Sequence, residues 1–215
     1  AALDAYLAPF DVWDRYDMDG DGNFDEPDGY IDHYQTVHAG AGEEAGGGIL
    51  GTDAIWSHRW YAYFGANGPD GGGVGGYGGV KIGNSSYWIG DYTVEPEDGG
   101  VGVFTHEFGH DLGLPDLYDT SGNTGGAENS TGFWTLYSSG SNTGTGRPED
   151  GIGGFPVHKG NWEKFQLGWL NYEVAFAGAP SSHRMGPPTS NTKQAQGVFI
   201  VLPDNIVPLE PGAPC

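Results

Sequence analysis

Thr105-His106-Glu107-Phe108-Gly109-His110-Asp111-Leu112-Gly113-Leu114-Pro115-Asp116 is the stretch on which the reading of this 215-residue chain turns. It contains His-Glu-x-x-His. On a helix the i, i+4 spacing sets two imidazoles one above the other, able to hold a zinc ion at about 2.0 to 2.1 Å. Two ligands do not hold a catalytic zinc. Gly113 stands where a helix can end in the left-handed conformation, which would turn the chain and return Asp116 toward the metal. A carboxylate oxygen is a competent third ligand, and the fourth position stays open for water. Two other carboxylates compete for the third place. Glu128 lies among turn formers, and Asp119 could as well serve a calcium ion or cap a turn. Against a merely polar helix face stands the arithmetic: five specified positions coincide by chance with a probability on the order of 10⁻⁵.

Working outward, residues 98–112 are predicted to form the helix that carries the motif. At 100° per residue Val101, Phe104, Phe108 and Leu112 fall within about 80° of one another, a stripe expected to face a core, with His106 and His110 on the other side. A second helix is predicted over 160–170, where Trp162, Phe165 and Trp169 recur at i, i+3 and i+7. Tyr, Ile, Thr, Val and Trp favour strands over 30–37 and 54–64, and residues 80–82 and 87–94 read as a hairpin. Gly-rich stretches over 40–51 and 65–79 read as surface loops. A last apolar run spans 197–202 before a Pro-rich tail. The fold class expected is therefore α+β.

Composition bounds the function. Eight basic against 29 acidic side chains give a net charge of −21, which repels a phosphate backbone and excludes nucleic acid as a partner. Forty-one Gly and 14 Pro alone would suggest disorder, but seven Trp, 12 Tyr and ten Phe belong in a packed domain. The one cysteine, Cys215, closes no disulfide within the chain. No run approaches the roughly 18 apolar residues of a membrane span, and the first residues do not read as a signal peptide, so an export signal is expected outside this stretch.

A second metal site is written upstream. Asp17, Asp19, Asp21, Asn23, Asp25 and Asp28 stand at positions 1, 3, 5, 7, 9 and 12 of an EF-hand-type calcium loop, with Gly22 at position 6. Without a cation, such closely spaced like charges would repel. A strand pattern follows instead of a helix, so the expected role is a structural staple. Glu43 and Glu44 are weaker candidates for a further calcium site. His38, His58, His158 and His183 are isolated and read as structural.

Residues 106–119, His-Glu-Phe-Gly-His-Asp-Leu-Gly-Leu-Pro-Asp-Leu-Tyr-Asp, resemble the active site of the immune inhibitor A family of secreted bacterial metallopeptidases, in the metzincin group. Residues 19–33, Ala54-Ile-Trp-Ser-His-Arg-Trp60 and Glu163-Lys-Phe-Gln-Leu-Gly-Trp169 also look like family segments, so the similarity covers most of 14–171. The resemblance implies a zinc endopeptidase with His106, His110 and Asp116 as ligands and Glu107 as general base. It implies a metzincin-like catalytic domain over 1–171, lacking its N-terminal elements, and over 172–215 a linker opening into a β-rich region. One departure is specific to this chain: where the family carries the methionine of the tight turn beneath the zinc, Tyr137 stands, read first as packing, with approach to the metal or weakened activity as the alternatives.

The function expected is a secreted, extracellular zinc-dependent endopeptidase acting on proteins and peptides through a Glu-activated, zinc-bound water, with a structural calcium loop. No Ser or Cys is set beside a base to act as nucleophile. The competing readings are a calcium-dependent extracellular binding module with a degenerate zinc site, and a metallohydrolase of non-peptide substrates. Oligomeric state is not legible in the sequence.

Overall fold

The computed structural model describes residues 1–11, 17, 21–63, 68, 70–73, 76–121, 131–147 and 150–202. Asp19, Glu128 and Cys215 lie outside the described residues. The chain divides into two compact units, Ala1–Val157 and His158–Cys215.

In the first unit a short helix, α1 (Ala2–Leu7), passes into a 3-10 turn at Ala8–Phe10. Strands β1 (Gln35–His38), β2 (His58–Tyr61), β3 (Val80–Lys81), β4 (Trp88–Ile89) and β5 (Asp91–Pro96) follow, and then helix α2 (Val101–Asp111). β5 is the centre of a three-stranded sheet. It pairs with β1 in parallel, Gln35 opposite Thr93, and with β2 antiparallel, His58 opposite Val94. Arg59 forms an ion pair with Asp91 and stacks over the Tyr61 ring at 4.4 Å, tying β2 to β5 through side chains as well as the ladder. β3 and β4 make a separate two-stranded ribbon.

The expected strands are shorter than composition suggested. In 30–37 only Gln35–His38 is a strand, while Tyr30 makes an isolated parallel bridge to Trp88. Among the described residues of 54–64 the strand is His58–Tyr61. The hairpin expected over 80–82 and 87–94 is interrupted: Gly90 separates Ile89 from Asp91, and the second half belongs to the other sheet. Gly90's carbonyl instead accepts from Ala62 N–H at 2.7 Å.

Helix α2 corrects the expected orientation of its own faces. Its buried residues are Gly102, Val103, His106, Glu107, Gly109 and Asp111, whereas Val101 is 60% and Phe108 40% exposed. The apolar stripe is not the buried side in this unit. Glycine counts as neutral in a hydrophobicity wheel, yet it lets neighbouring chain approach closely, and here that approach accompanies the burial of His106. Tyr137 is the neighbour: a Cβ on Gly109 would lie 1.4 Å from its hydroxyl oxygen.

The interior of this unit is correspondingly polar. Tyr30, Leu136 and Tyr137 are fully enclosed, but so are Thr93 and Glu95 of β5. No described helix is long and apolar enough to cross a membrane.

In the second unit α3 (Asn161–Gln166) ends short of the predicted residue 170, so Trp169 leaves the helix and is 57% exposed. Strands β6 (Tyr172–Phe176) and β7 (Gly197–Val201) pair in parallel, Tyr172 opposite Gly197. Phe165, Tyr172 and Phe199 group their rings at 5.4 to 6.2 Å.

Candidate metal centre

Helix α2 starts without a side-chain cap, and its first amides are met by distant carbonyls. Gly100 N–H donates to Ile152 O and Gly102 N–H to Gly153 O, both at 2.8 Å. The other end closes on Gly113, at φ +87°. Gly113 N–H donates to His110 O at 2.9 Å and Leu114 N–H to Gly109 O at 3.0 Å, the paired bonds of a Schellman motif. The left-handed turn expected of Gly113 is present, and the chain beyond it brings Asp116 back to the helix.

Three atoms converge there. His106 Nε2 and His110 Nε2 are 3.0 Å apart, and Asp116 Oδ1 lies 3.2 Å from the first and 3.3 Å from the second. Ligand bonds of about 2.0 to 2.1 Å in tetrahedral geometry place neighbouring ligand atoms about 3.3 to 3.4 Å apart. The triangle is thus of the size that one zinc-like cation would span.

The chemistry of the donors points the same way. His106 Nδ1–H donates to Leu136 O at 2.8 Å and His110 Nδ1–H to Leu114 O at 2.6 Å. With Nδ1 committed as donor, each Nε2 turns a lone pair inward. Asp116 Oδ1 is buried and accepts no aligned hydrogen bond. Three electron-rich atoms facing one point demand a positive centre, either a cation or a proton shared among the side chains. Although burial opposes it, the facing imidazoles hold the Asp116 carboxyl well below the usual carboxylate range.

Glu107 sits beside this triangle, its carboxylate within 4.8 Å of both imidazole ligand atoms. Burial pushes its carboxyl up, opposed by the two imidazoles and by a hydrogen bond from Ser57. Burial, followed by the Asp116 charge, likewise pushes the Tyr118 phenol up to about 12, so it stays a neutral donor. Tyr137 lies wholly enclosed beneath the rings, stacked on His106 at 5.3 Å and edge-on to His110 at 5.6 Å. Its backbone carbonyl accepts from Leu117 N–H at 2.7 Å, anchoring the segment that carries Asp116. At the end of α2, His33 Nδ1 lies 2.5 Å from Asp111 Oδ2.

A cavity of about 370 Å³ opens beside His106 and Glu107. Glu44, Trp56, Ser57 and Tyr118 line it, and sequence reasoning missed each of them in that place. Glu44 was singled out only for calcium. Tyr118 carried a usable signal, since it follows Asp116 by two residues within the motif. Glu44 and Ser57 had none, being brought in by loops far upstream. Asp119, the rival third ligand, also lines the cavity, and its carboxylate is engaged by Ser121.

The acidic loop shows a different kind of order. Asp17 Oδ1 accepts from Asp21 N–H at 2.9 Å and Oδ2 from Gly22 N–H at 2.7 Å, with Gly22 at φ +91°. Asp21 accepts from Asn23 N–H, and Asn23 from Asp25 N–H. Asp28 accepts from Tyr30 N–H, while Asp28 and Gly29 N–H both donate to the buried Asp11. Among the described residues, His106 and His110 gather a possible metal-holding group with Glu107, all ligand atoms within 4.8 Å of one another, as they do with Asp116 at 3.2 and 3.3 Å; the described carboxylates of the acidic loop do not form such a group.

Comparison with known proteins agrees with the site. Residues 1–170 match the model of the immune inhibitor A peptidase M6 catalytic domain. Immune inhibitor A of Bacillus thuringiensis subsp. alesti is 54% identical over 127 residues, covering 56% of this chain and 17% of the relative. The pre-pro-metalloprotease PrtV of Vibrio cholerae serotype O1 is 45% identical over 176 residues, 78% of this chain and 18% of the relative. The chain thus spans less than a fifth of the length of these relatives. With four-fifths of its residues, α2 and the converging His106, His110 and Asp116 included, falling under that one catalytic-domain model, the chain belongs to the immune inhibitor A family of M6 peptidases.

Proposed function

We propose that this chain is the catalytic part of a secreted, metzincin-like zinc endopeptidase that hydrolyses peptide bonds in proteins. His106, His110 and Asp116 would hold the zinc. The observation that carries the reading is the triangle of their ligand atoms, edges 3.0 to 3.3 Å, inside a domain of a metallopeptidase family. Bound there, the metal supplies Lewis acidity, easing the loss of a proton from water and stabilising negative charge on a carbonyl oxygen.

The chain's own groups do the rest. Glu107, raised by burial toward the range in which a carboxylate is a useful base, takes the proton from the attacking water as that water adds to the peptide carbonyl carbon. It then returns the proton to the departing nitrogen. Ser57 holds the Glu107 carboxylate through its hydrogen bond, and Tyr118, kept protonated, is placed to donate toward a substrate oxygen. An extended substrate would pair with an exposed strand edge along the cleft.

Residues 1–171 are proposed as the catalytic domain and 172–215 as a linker and the start of a β-rich region. In the loop of Asp17, Asp19, Asp21, Asn23, Asp25 and Asp28 we place a structural calcium ion; the chain of side-chain-to-amide bonds from Asp17 to Asp25 supports a preformed turn there. The homologues' names support action outside the cell, and the charge of −21 argues against nucleic acid.

The test measures hydrolysis of denatured casein and metal content for this chain and for Glu107→Ala. The expected result is about one zinc per chain in both, with turnover lower by at least about 10² in the variant. Cleavage that persists in Glu107→Ala removes the base from its role. Calcium binding without any zinc-dependent turnover would leave a binding module.

A further inference from the structure

The cavity beside Glu107 has a chemical character of its own. Its charged lining consists of the carboxylates of Glu44, Glu107 and Asp119 against the single imidazole of His106, with no Lys or Arg among the described lining residues. Glu107 is occupied with the reaction, and Asp119 Oδ1 is engaged by Ser121 N–H and hydroxyl. Glu44 is not fully spent. Its Oε2 accepts from Ser57 N–H at 3.2 Å, whereas Oε1 is buried with no hydrogen-bond partner. A carboxylate oxygen left without a donor is unfavourable, so the position invites a donor from a ligand.

Glu44 is also held in place. It sits in the 3-10 turn Glu43–Ala45, which is closed by Gly46 N–H to Glu43 O at 2.8 Å and tied to the segment before β2 by Glu43 N–H to Ile55 O at 3.2 Å. That same segment presents Trp56, which lines the cavity and is 54% exposed. An anchored carboxylate beside an open indole face is the pairing that suits a flat cation, since a guanidinium donates several N–H bonds in one plane and stacks on aromatic rings.

We propose that this cavity is the pocket for a cationic substrate side chain, arginine ahead of lysine, with Glu44 as the residue that selects it. The proposal rests on the peptidase reading above and names the substrates of that site: polypeptides with an arginine adjoining the bond cleaved. Glu44 Oε1 accepts from the guanidinium and Trp56 covers its face.

The experiment uses the zinc-loaded 215-residue chain and matched peptides that differ only in carrying arginine or its uncharged isostere citrulline at each position flanking the scissile bond. The expected result is a kcat/KM ratio, arginine over citrulline, of at least about ten at one position. Glu44→Gln should bring that ratio to within about threefold of unity, and Glu44→Asp should keep the preference with reduced size. Because each ratio is taken within one protein, a general loss of stability or metal cancels. A ratio near unity in the unmodified chain, or one that Glu44→Gln leaves unchanged, overturns the proposal. A second readout does not need turnover: calorimetric binding of the same peptides to Glu107→Ala, with and without Glu44→Gln. Charge-selective binding that vanishes with Glu44→Gln, found where the zinc-loaded unmodified chain cleaves none of the peptides, would sustain the pocket and sink the peptidase reading. Cleavage without charge selectivity would do the reverse.

Discussion

At the scale of single residues, the contact between Gly109 and Tyr137 is the tightest in the site. A methyl group at 109 has no room, with the Tyr137 hydroxyl oxygen 1.4 Å from its ideal position. Gly109→Ala should therefore cost about 1 to 3 kcal/mol, read as a lower unfolding temperature, and Tyr137→Phe should recover part of that loss in the double variant. Simple additivity of the two changes would count against the contact. Glu95 offers a second test. It is fully enclosed, accepts one hydrogen bond from Gln35 at 3.2 Å and leaves Oε2 without a partner, so burial, with the Glu107 charge next, pushes its carboxyl up to about 8. The folded state thus holds this proton more tightly than the unfolded chain does. Its share of stability is full below pH 4.5 and falls away as pH rises toward about 8. Glu95→Gln should flatten that fall, and melting curves across pH 4 to 9 check it. Much of the geometry of the candidate metal centre was legible at this scale, because His106, Glu107, His110 and Asp116 lie within a dozen residues and their spacing encodes a helix and one turn. Glu44 and Ser57 were not, since only the tertiary fold brings residues so distant in sequence to the same cavity, and neither was the enclosure of Glu95 in the packed sheet.

At the scale of elements, α2 shows why a pattern can name a helix and misname its inside. The periodicity located it to within a few residues, but the buried side proved to be the one with His106, Glu107 and the small residues, not the one with Val101 and Phe108. A wheel ranks side chains by transfer energy and is blind to a partner that needs closeness. The strands failed for a related reason. Aromatic and β-branched runs marked β1, β2 and β5, yet their ends depend on partners such as the Gly90 carbonyl, which local sequence does not announce. The turn after α2 was readable because its requirement is local. Gly113 at φ +87° makes Gly113→Ala cost about 1 kcal/mol or somewhat more. Since Asp116 arrives through that turn, the same variant should weaken zinc binding several-fold in a chelator competition, while Gly146→Ala, at φ +78° and outside the residues that line the cavity, should cost stability without that loss of metal.

At the largest scale, the polar interior of the first unit means that an ion bound only by the folded chain would add to its stability. A ligand that binds only the folded chain raises its stability with concentration, so zinc removal by a selective chelator should both stop hydrolysis and lower the unfolding temperature. A calcium-selective chelator should lower that temperature while leaving zinc content unchanged, and an unchanged melt would remove the ion from the acidic loop. The surplus of negative charge adds a salt dependence, the folded state gaining as ionic strength screens its self-repulsion. The two imidazoles, for their part, are oriented by the main-chain oxygens of Leu136 and Leu114. Every residue type carries such an oxygen. Exchanges at 114 and 136 that keep an apolar side chain of similar volume leave both acceptors in place, so the orientation of the imidazoles is inherited with the path of the backbone and not with the identity of these two buried residues.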